Sequence, residues 1–250
     1  MIVYFSATGN SKYVAERIAA AIDDKAFSIE QDLLVNLLPG EVFGVVTPTY
    51  EYTLPVPVKN FLSQLRADIS AQHYCFYVGT FGTSTGAASA MANDLMKKNA
   101  RPFDAMFDIR MPDTWTPMYD LSDLSKVEAI NRRADEEIDE LIRQIKGRVT
   151  GKHMDLTFPR FVGLIGNRLY EQTRRTKNLS VTDACIGCGL CAGKCPAEAI
   201  EIRDKHPVWV KEQCVMCLRC LHHCPKFAIQ YGNGKKTAKH GQYRNPNVKV

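Results

Sequence analysis

Eight of the nine cysteines in this 250-residue chain stand in two copies of one spacing. The first copy is Cys185-x2-Cys188-x2-Cys191-x3-Cys195-Pro196, and the second is Cys214-x2-Cys217-x2-Cys220-x3-Cys224-Pro225. Each cysteine of the second copy lies 29 residues after its counterpart. The repeat continues outside the thiols, with Ala199-Ile200 recurring as Ala228-Ile229 and Val181 as Val210. The fifty or so residues involved enclose too little apolar surface to form a core unaided. Whatever the thiols bind is expected to be that core, and its loss to unfold the region. A disulfide framework fits poorly, because the N-terminal MIVYFSATGN carries neither the basic stretch nor the cleavage site of an export signal. Many thiols in such a chain point to a reducing cytoplasm. Zinc ribbons use two Cys-x2-Cys pairs across a longer gap, not triplets followed by Cys-Pro.

The spacing resembles the signature of bacterial two-cluster ferredoxins, and the resemblance implies two 4Fe–4S clusters. In that family the cysteine before the proline ligates the cluster of the other copy. The resemblance therefore assigns Cys185, Cys188, Cys191 and Cys224 to one cluster, and Cys214, Cys217, Cys220 and Cys195 to the other. Gly187, Gly189, Ala192 and Gly193 are small enough for backbone amides to reach the sulfurs of the first loop and tune them. His222 and His223, inside the second copy, read as solvated side chains.

Upstream the pattern changes. Residues 1–5, 41–47 and 74–80 read as short apolar strands, with another expected near 104–110. Helices are expected after the first strand, on Val14, Ile18 and Ala21, and near 57–66 and 86–98. The clearest helix carries Val127, Ile130, Ala134, Ile138, Leu141 and Ile145, with Ser125 and Glu128 as a capping box and Gly147 as its stop. This rhythm predicts the α/β class, a doubly wound five-stranded parallel sheet over residues 1–148. A packed connector (149–178), a small α+β unit (179–232) and a basic polar tail (233–250) follow. Phe158, Phe161, Val162, Leu164, Ile165, Leu169 and Tyr170 suggest a short packed helix in the connector. The tail reads either as partly disordered or as folded back through Tyr243 and Pro246. Cys75, the ninth cysteine, reads as a buried strand residue.

Ligands of such sheets bind beyond the carboxyl ends of the strands. The first loop there holds Ser6, Thr8, Gly9, Asn10 and Ser11, a set of hydroxyls and amides at a helix start that suits a phosphate. It has no Walker lysine and no GxGxxG turn, so a terminal monophosphate held by neutral donors fits best. The run Phe5-Ser-Ala-Thr-Gly-Asn-Ser11 resembles the phosphate loop of flavodoxins, which implies FMN. Two further loops fall where flavodoxins place their flavin contacts. One carries Pro48, Thr49, Tyr50 and Tyr52, either tyrosine being suited to stack on the isoalloxazine, and Glu51, a charge that disfavours a negative reduced flavin. The other carries Thr80, Phe81, Gly82 and Gly86, whose backbone can approach the polar edge of the ring. Residues 111–120, with Trp115 and Tyr119, read either as a shield over the flavin or as an ordered surface loop.

The whole chain thus resembles the flavodoxin–ferredoxin fusions of anaerobes. The resemblance implies electron transport between FMN and two iron–sulfur clusters, with redox proteins as partners. The alternative is a flavoenzyme, its FMN fed by the clusters, that reduces a small acceptor such as a quinone. No acid–base pair is evident beside the flavin loops, which favours the carrier. Nine Lys/Arg against two acids between Arg143 and Lys177 suggest a solvated face or a dock for acidic redox partners. No nucleic-acid motif accompanies this charge, and no apolar run reaches the length of a membrane span.

Overall fold

The computed structural model describes every residue except Arg66, Leu156 and Pro159, and the backbone alone of residues 160 and 161. In chain order the first part runs β1 (Ile2–Tyr4), α1 (Asn10–Ala21), β2 (Ala26–Ser28), β3 (Val42–Pro48), α2 (Val56–Gln64), β4 (Tyr74–Phe81), α3 (Ala88–Asn99), β5 (Ala105–Arg110), α4 (Leu124–Lys146) and β6 (Gly151–His153). All six strands join one parallel sheet in the order β2-β1-β3-β4-β5-β6. The doubly wound class expected from sequence is present. The strand left unplaced by the sequence is β2, three half-buried residues without an apolar run. The sixth strand, β6, comes from the connector and pairs with β5.

Helices cover both faces because each presents one apolar stripe to the sheet. Val14 and Ile18 of α1 and Ala134, Ile138 and Leu141 of α4 share one core layer with Phe76 and Val78. Val58 and Leu62 of α2 and Ala88, Ala92 and Met96 of α3 share the other with Val45, Cys75 and Tyr77. Cys75 is fully buried, as expected, and burial pushes its thiol up to about 11. Arg66, at the end of the helix expected over 57–66, lies outside the described residues. The cap of α4 differs from the expected box: Asp123 is the N-cap, its carboxylate accepting from Lys126 N at 3.2 Å, and the Ser125 hydroxyl donates to the same carboxylate. Gly147 ends the helix as expected.

The second part holds α5 (Arg160–Thr173), β7 (Leu179–Val181), α6 (Leu190–Gly193), β8 (Ile200–Arg203), β9 (His206–Trp209), α7 (Arg219–His222), β10 (Ile229–Tyr231) and α8 (Thr237–His240). β7 pairs antiparallel with β10, and β8 with β9. α6 and α7 start 29 residues apart and touch, so the repeat in sequence is a repeat in space.

The connector helix α5 packs differently from its apolar pattern. Leu164 and Ile165 are 73% and 65% exposed, and Phe158 and Leu169 also face solvent. The inward face is instead Gly163, Gly166 and Tyr170, because glycine lets the helix backbone close on its neighbours. A Cβ on Gly166 would lie 2.5 Å from the Glu51 carbonyl, and one on Gly163 2.9 Å from Ala87. Tyr170, fully buried, donates its hydroxyl to Val215 O at 2.6 Å and so ties α5 to the second cysteine loop. The Phe161 side chain lies outside the described residues.

Gly44 in β3 faces the rings packed between strands, where an added Cβ would meet Phe76 at 2.4 Å and Ile2 at 2.7 Å. Gly44→Ala is expected to destabilise the sheet by about 1–3 kcal/mol. The check is thermal unfolding followed by circular dichroism, in which an unchanged midpoint would contradict this packing.

Candidate functional site

The loops after β1, β3, β4 and β5 converge at one edge of the sheet, beside the point where the strand order reverses. Together they line one cleft. Of the residues singled out from sequence, Ser6, Thr8, Asn10, Ser11, Pro48, Thr49, Tyr50, Tyr52, Thr80, Phe81 and Gly82 line it. Gly9 and Gly86 do not. Gly9 is left-handed and turned towards the tail, and Gly86 is packed on the backbone of Tyr52. Both shape the loops without facing the cleft. Ser6 Oγ accepts from Gly9 N at 3.1 Å, and Ser11 and Thr80 share a 2.8 Å hydroxyl contact, which holds the first and third loops together. Tyr50 lines the cleft with its ring packed edge-on between Phe5 and Tyr170. Tyr52 stands at the rim, 36% exposed, against Phe158.

The segment after β5 closes over this space: Met111, Pro112, Asp113, Thr114, Trp115, Met118 and Tyr119 all line it. Trp115 also packs edge-on against Tyr231 of β10 at 5.0 Å. Two carboxyls missed from sequence as a pair, Glu51 and Asp113, meet in the cleft. Burial pushes both above the usual carboxylate range, and the charge of Asp113 raises Glu51 further. Asp113 accepts from Trp115 N at 3.0 Å and from the Thr83 hydroxyl at 3.1 Å. They come from loops more than sixty residues apart, so no local spacing could announce them.

The eight repeat cysteines surround two smaller cavities. One is lined by Cys195, Cys214, Cys217 and Cys220; the other by Cys185, Cys188, Cys191 and Cys224. Among the described residues no three ligating side chains stand close enough to hold a single metal ion. A mononuclear zinc site draws its sulfurs to within about 2.3 Å of one centre. Four thiols spread round a cavity suit a polynuclear cluster instead. Burial pushes Cys214 up to about 11, Cys217 to about 12 and Cys220 well above the ordinary thiol value. Thiolates persist at such positions only beside compensating cationic charge, which bound metal supplies. Backbone amides already address three sulfurs: Ala199 N donates to Cys195, Met216 N to Cys214 and Ala228 N to Cys224, at 3.4, 3.2 and 3.2 Å.

The second cysteine copy is also a joint to the sheet. Arg219 Nη2 donates to Ser6 O at 2.7 Å, while the same guanidinium pairs with Glu30. His222 Nε2 donates to Thr114 O at 2.9 Å and His223 Nε2 to Ala7 O at 3.1 Å. Both rings are buried, contrary to the solvated reading, and burial lowers both to about 4, which keeps them neutral. Met216, Cys217 and Leu218 line both the cleft and the cavity of Cys195, Cys214, Cys217 and Cys220, and form the wall between them.

The family model of the flavodoxin domain matches residues 1–140, and that of the 4Fe-4S dicluster domain matches residues 167–240. No curated protein matches the chain. No described helix is long and apolar enough to cross a membrane.

Iron removal by an anaerobic chelator is expected to speed hydrogen exchange across 179–231 while β3 and β4 stay protected. Equal protection of both regions after complete iron loss would show that the thiol cavities do not depend on a ligand.

Proposed function

The chain belongs to the flavodoxin family, carries a 4Fe–4S ferredoxin domain behind the flavodoxin domain and serves electron transfer; we propose that it relays electrons between one FMN and two 4Fe–4S clusters inside a single molecule. The observation that carries the reading is the shared wall: Cys217 faces both the flavin cleft and the cavity of the inner cysteine quartet.

The cleft fits the flavin by its donor chemistry. Thr49 Oγ1 lies buried there with no partner among the described residues, an orphan that a ligand would satisfy. FMN, when bound, takes up one or two electrons, and each cluster takes up one. Ser6, Thr8, Asn10 and Ser11 would hold its phosphate through hydroxyls, amides and the start of α1. Tyr50, Tyr52 and the 48–52 loop, together with Thr80, Phe81 and Gly82, would flank the ring, with Gly9 and Gly86 setting the loop backbones. Trp115, Met118 and Tyr119 would flank the ring from the side of the segment after β5. Cys195, Cys214, Cys217 and Cys220 would hold the inner cluster, and Cys185, Cys188, Cys191 and Cys224 the outer one.

The outer quartet includes the exposed Cys188, with Ile186 59% exposed beside it. That exposure supports entry and exit of electrons at this end, through partner redox proteins in a reducing, anaerobic cytoplasm. The basic stretch between Arg143 and Lys177 supports acidic partners. Fusion of the two units makes the transfer intramolecular, at high effective concentration. Electrons placed on the clusters by a photoreductant are expected to reach the flavin in a first-order step independent of protein concentration, seen by anaerobic flash absorbance. Clusters and flavin that reduce without exchanging electrons would sink the relay and leave the quinone-reductase reading to be tested by turnover.

Glu51 and Asp113 set a pH dependence. Below their raised pKa values both are neutral; above them the charge opposes placing electrons on the flavin. The Tyr52 and Tyr119 side chains face the same pair, and Arg110 partly offsets Asp113. Glu51→Gln is expected to raise the flavin potential by tens of mV at neutral pH. The gap from the parent should close as pH falls through the carboxyl range. Potentiometric titration at several pH values checks both the sign and the closure.

A further inference from the structure

Three consecutive carbonyls of the phosphate loop are taken by groups from outside the sheet domain. Ser6 O accepts from Arg219 Nη2 at 2.7 Å, Ala7 O from His223 Nε2 at 3.1 Å, and Thr8 O from the backbone N–H of Asn245 at 2.7 Å. Two of the donors belong to the second cysteine copy, and the third to the tail. Next in the loop, Gly9 is closed in by Asn245, Val248 and Val250, all within 3.0 Å of the position of an added Cβ. Asn10 follows, its side-chain oxygen accepting from the Tyr243 hydroxyl at 3.0 Å and from Asn245 Nδ2 at 3.2 Å. The tail therefore folds back, through Tyr243 and Asn245, both buried, while Pro246 stays at the surface. Its other end is fixed to the cysteine copy: Gln242 Nε2 donates to Leu221 O at 2.6 Å and to Cys224 O at 2.9 Å, and Tyr243 N donates to His222 Nδ1 at 3.1 Å.

A peptide unit is planar, so a carbonyl held on one side fixes the direction of the N–H of the next residue. With the carbonyls of residues 6, 7 and 8 drawn towards the ferredoxin unit, the orientations of the amides of residues 7, 8 and 9 are set from behind. Amides oriented before binding spare an anion the cost of ordering the loop. Building on the FMN reading above, we propose that His223, Asn245 and Tyr243 are positioning residues for the FMN phosphate. The ferredoxin unit and the tail hold the phosphate loop in its binding shape, so that assembly of the cysteine copy and retention of the phosphate favour each other. Linkage makes this reciprocal: what tightens FMN on an assembled ferredoxin unit also stabilises that unit when FMN is bound.

The test compares FMN with riboflavin, which has the same ring and no phosphate, on the full chain at matched iron content. Flavin fluorescence gives both dissociation constants. Loss of the ring donor to Ala7 O in His223→Leu, or of the Nδ2 donor to Asn10 Oδ1 in Asn245→Ala, is expected to weaken FMN by about five- to tenfold and leave riboflavin unchanged. His223→Gln, which keeps an N–H donor, should restore most of the FMN affinity, and Tyr243→Phe, which also lies outside the cysteine motif, should follow Asn245→Ala. In the parent chain, iron removal should lower the ratio of FMN to riboflavin affinity in the same way. An unchanged FMN constant in Asn245→Ala and Tyr243→Phe would overturn the proposal, as would equal losses of FMN and riboflavin, which mark a general collapse of the cleft. A parent chain that binds neither flavin would instead remove the FMN reading itself, and the proposal with it.

Discussion

The structure turns on one buried guanidinium. Arg219 sits between Cys217 and Cys220 in sequence, and its side chain, 11% exposed, crosses into the sheet domain. There it pairs with Glu30, donates to Ser6 O and to Lys194 O, and lies over the Phe5 ring. A largely buried charge of this kind is kept only where partners compensate it, here the Glu30 carboxylate and the carbonyls of Ser6 and Lys194. The contact therefore fixes where the inner quartet stands relative to the loop after β1. Without it the two units would be tethered; with it, and with Tyr170 bracing α5 against Val215, they form one packed body.

Duplication alone would have made the two cysteine loops alike, and their backbones are alike. Gly187 and Gly189 of the first copy are left-handed, and so are Met216 and Leu218 at the matching places of the second. Left-handed backbone costs a side chain about 1–2 kcal/mol per residue, a cost that glycine avoids. The second copy bears it because its side chains do work that hydrogen atoms could not. Met216 and Leu218 are buried and fill the wall between the flavin cleft and the inner cavity. The outer copy faces solvent, has no wall to build and keeps its glycines. The strain thus marks which half of an ancestral repeat became the inner half.

Much of this was legible in the chain. The thiol quartets follow from the resemblance of their spacing to two-cluster ferredoxins, the sheet from the strand–helix rhythm, and the cleft loops from three short runs each placed after a strand. What escaped was long-range by nature. His222 and His223 read as solvated because a two-residue polar run carries no sign that another domain will cover it. Glu51 and Asp113 become neighbours only when the loops after β3 and β5 meet over the sheet edge. The apolar residues of α5 suggested its buried face, yet Gly163 and Gly166 make that face, because close approach of backbones outweighs side-chain hydrophobicity there. Asn245 lies in a polar, basic tail that reads either as disordered or as folded back, and its contacts with Thr8 O and Asn10 Oδ1 become visible only once the loop after β1 is in place.

These contacts bring the inner quartet and the cleft against one shared wall. Cys188 of the outer quartet is open to solvent, the inner quartet is walled by Met216 and Leu218, and the flavin cleft is closed by the 111–119 segment on one side and by the cysteine wall on another. Burial lowers the local dielectric and strengthens every fixed charge, so the same carboxyl or guanidinium shifts a potential more at the inner centres than at the outer one. Glu51 and Asp113 act on the flavin end with negative charge, and Arg219 acts on the inner quartet with positive charge. The two signs oppose each other across a wall one residue thick at Cys217. In the proposed relay, electrons crossing that wall towards the flavin would move from a site stabilised for negative charge into one that resists it while its carboxyls are ionised, and would meet less resistance when the carboxyls are neutral. The balance between the two centres would then be set by side chains of different domains, held in register by the joint at Arg219.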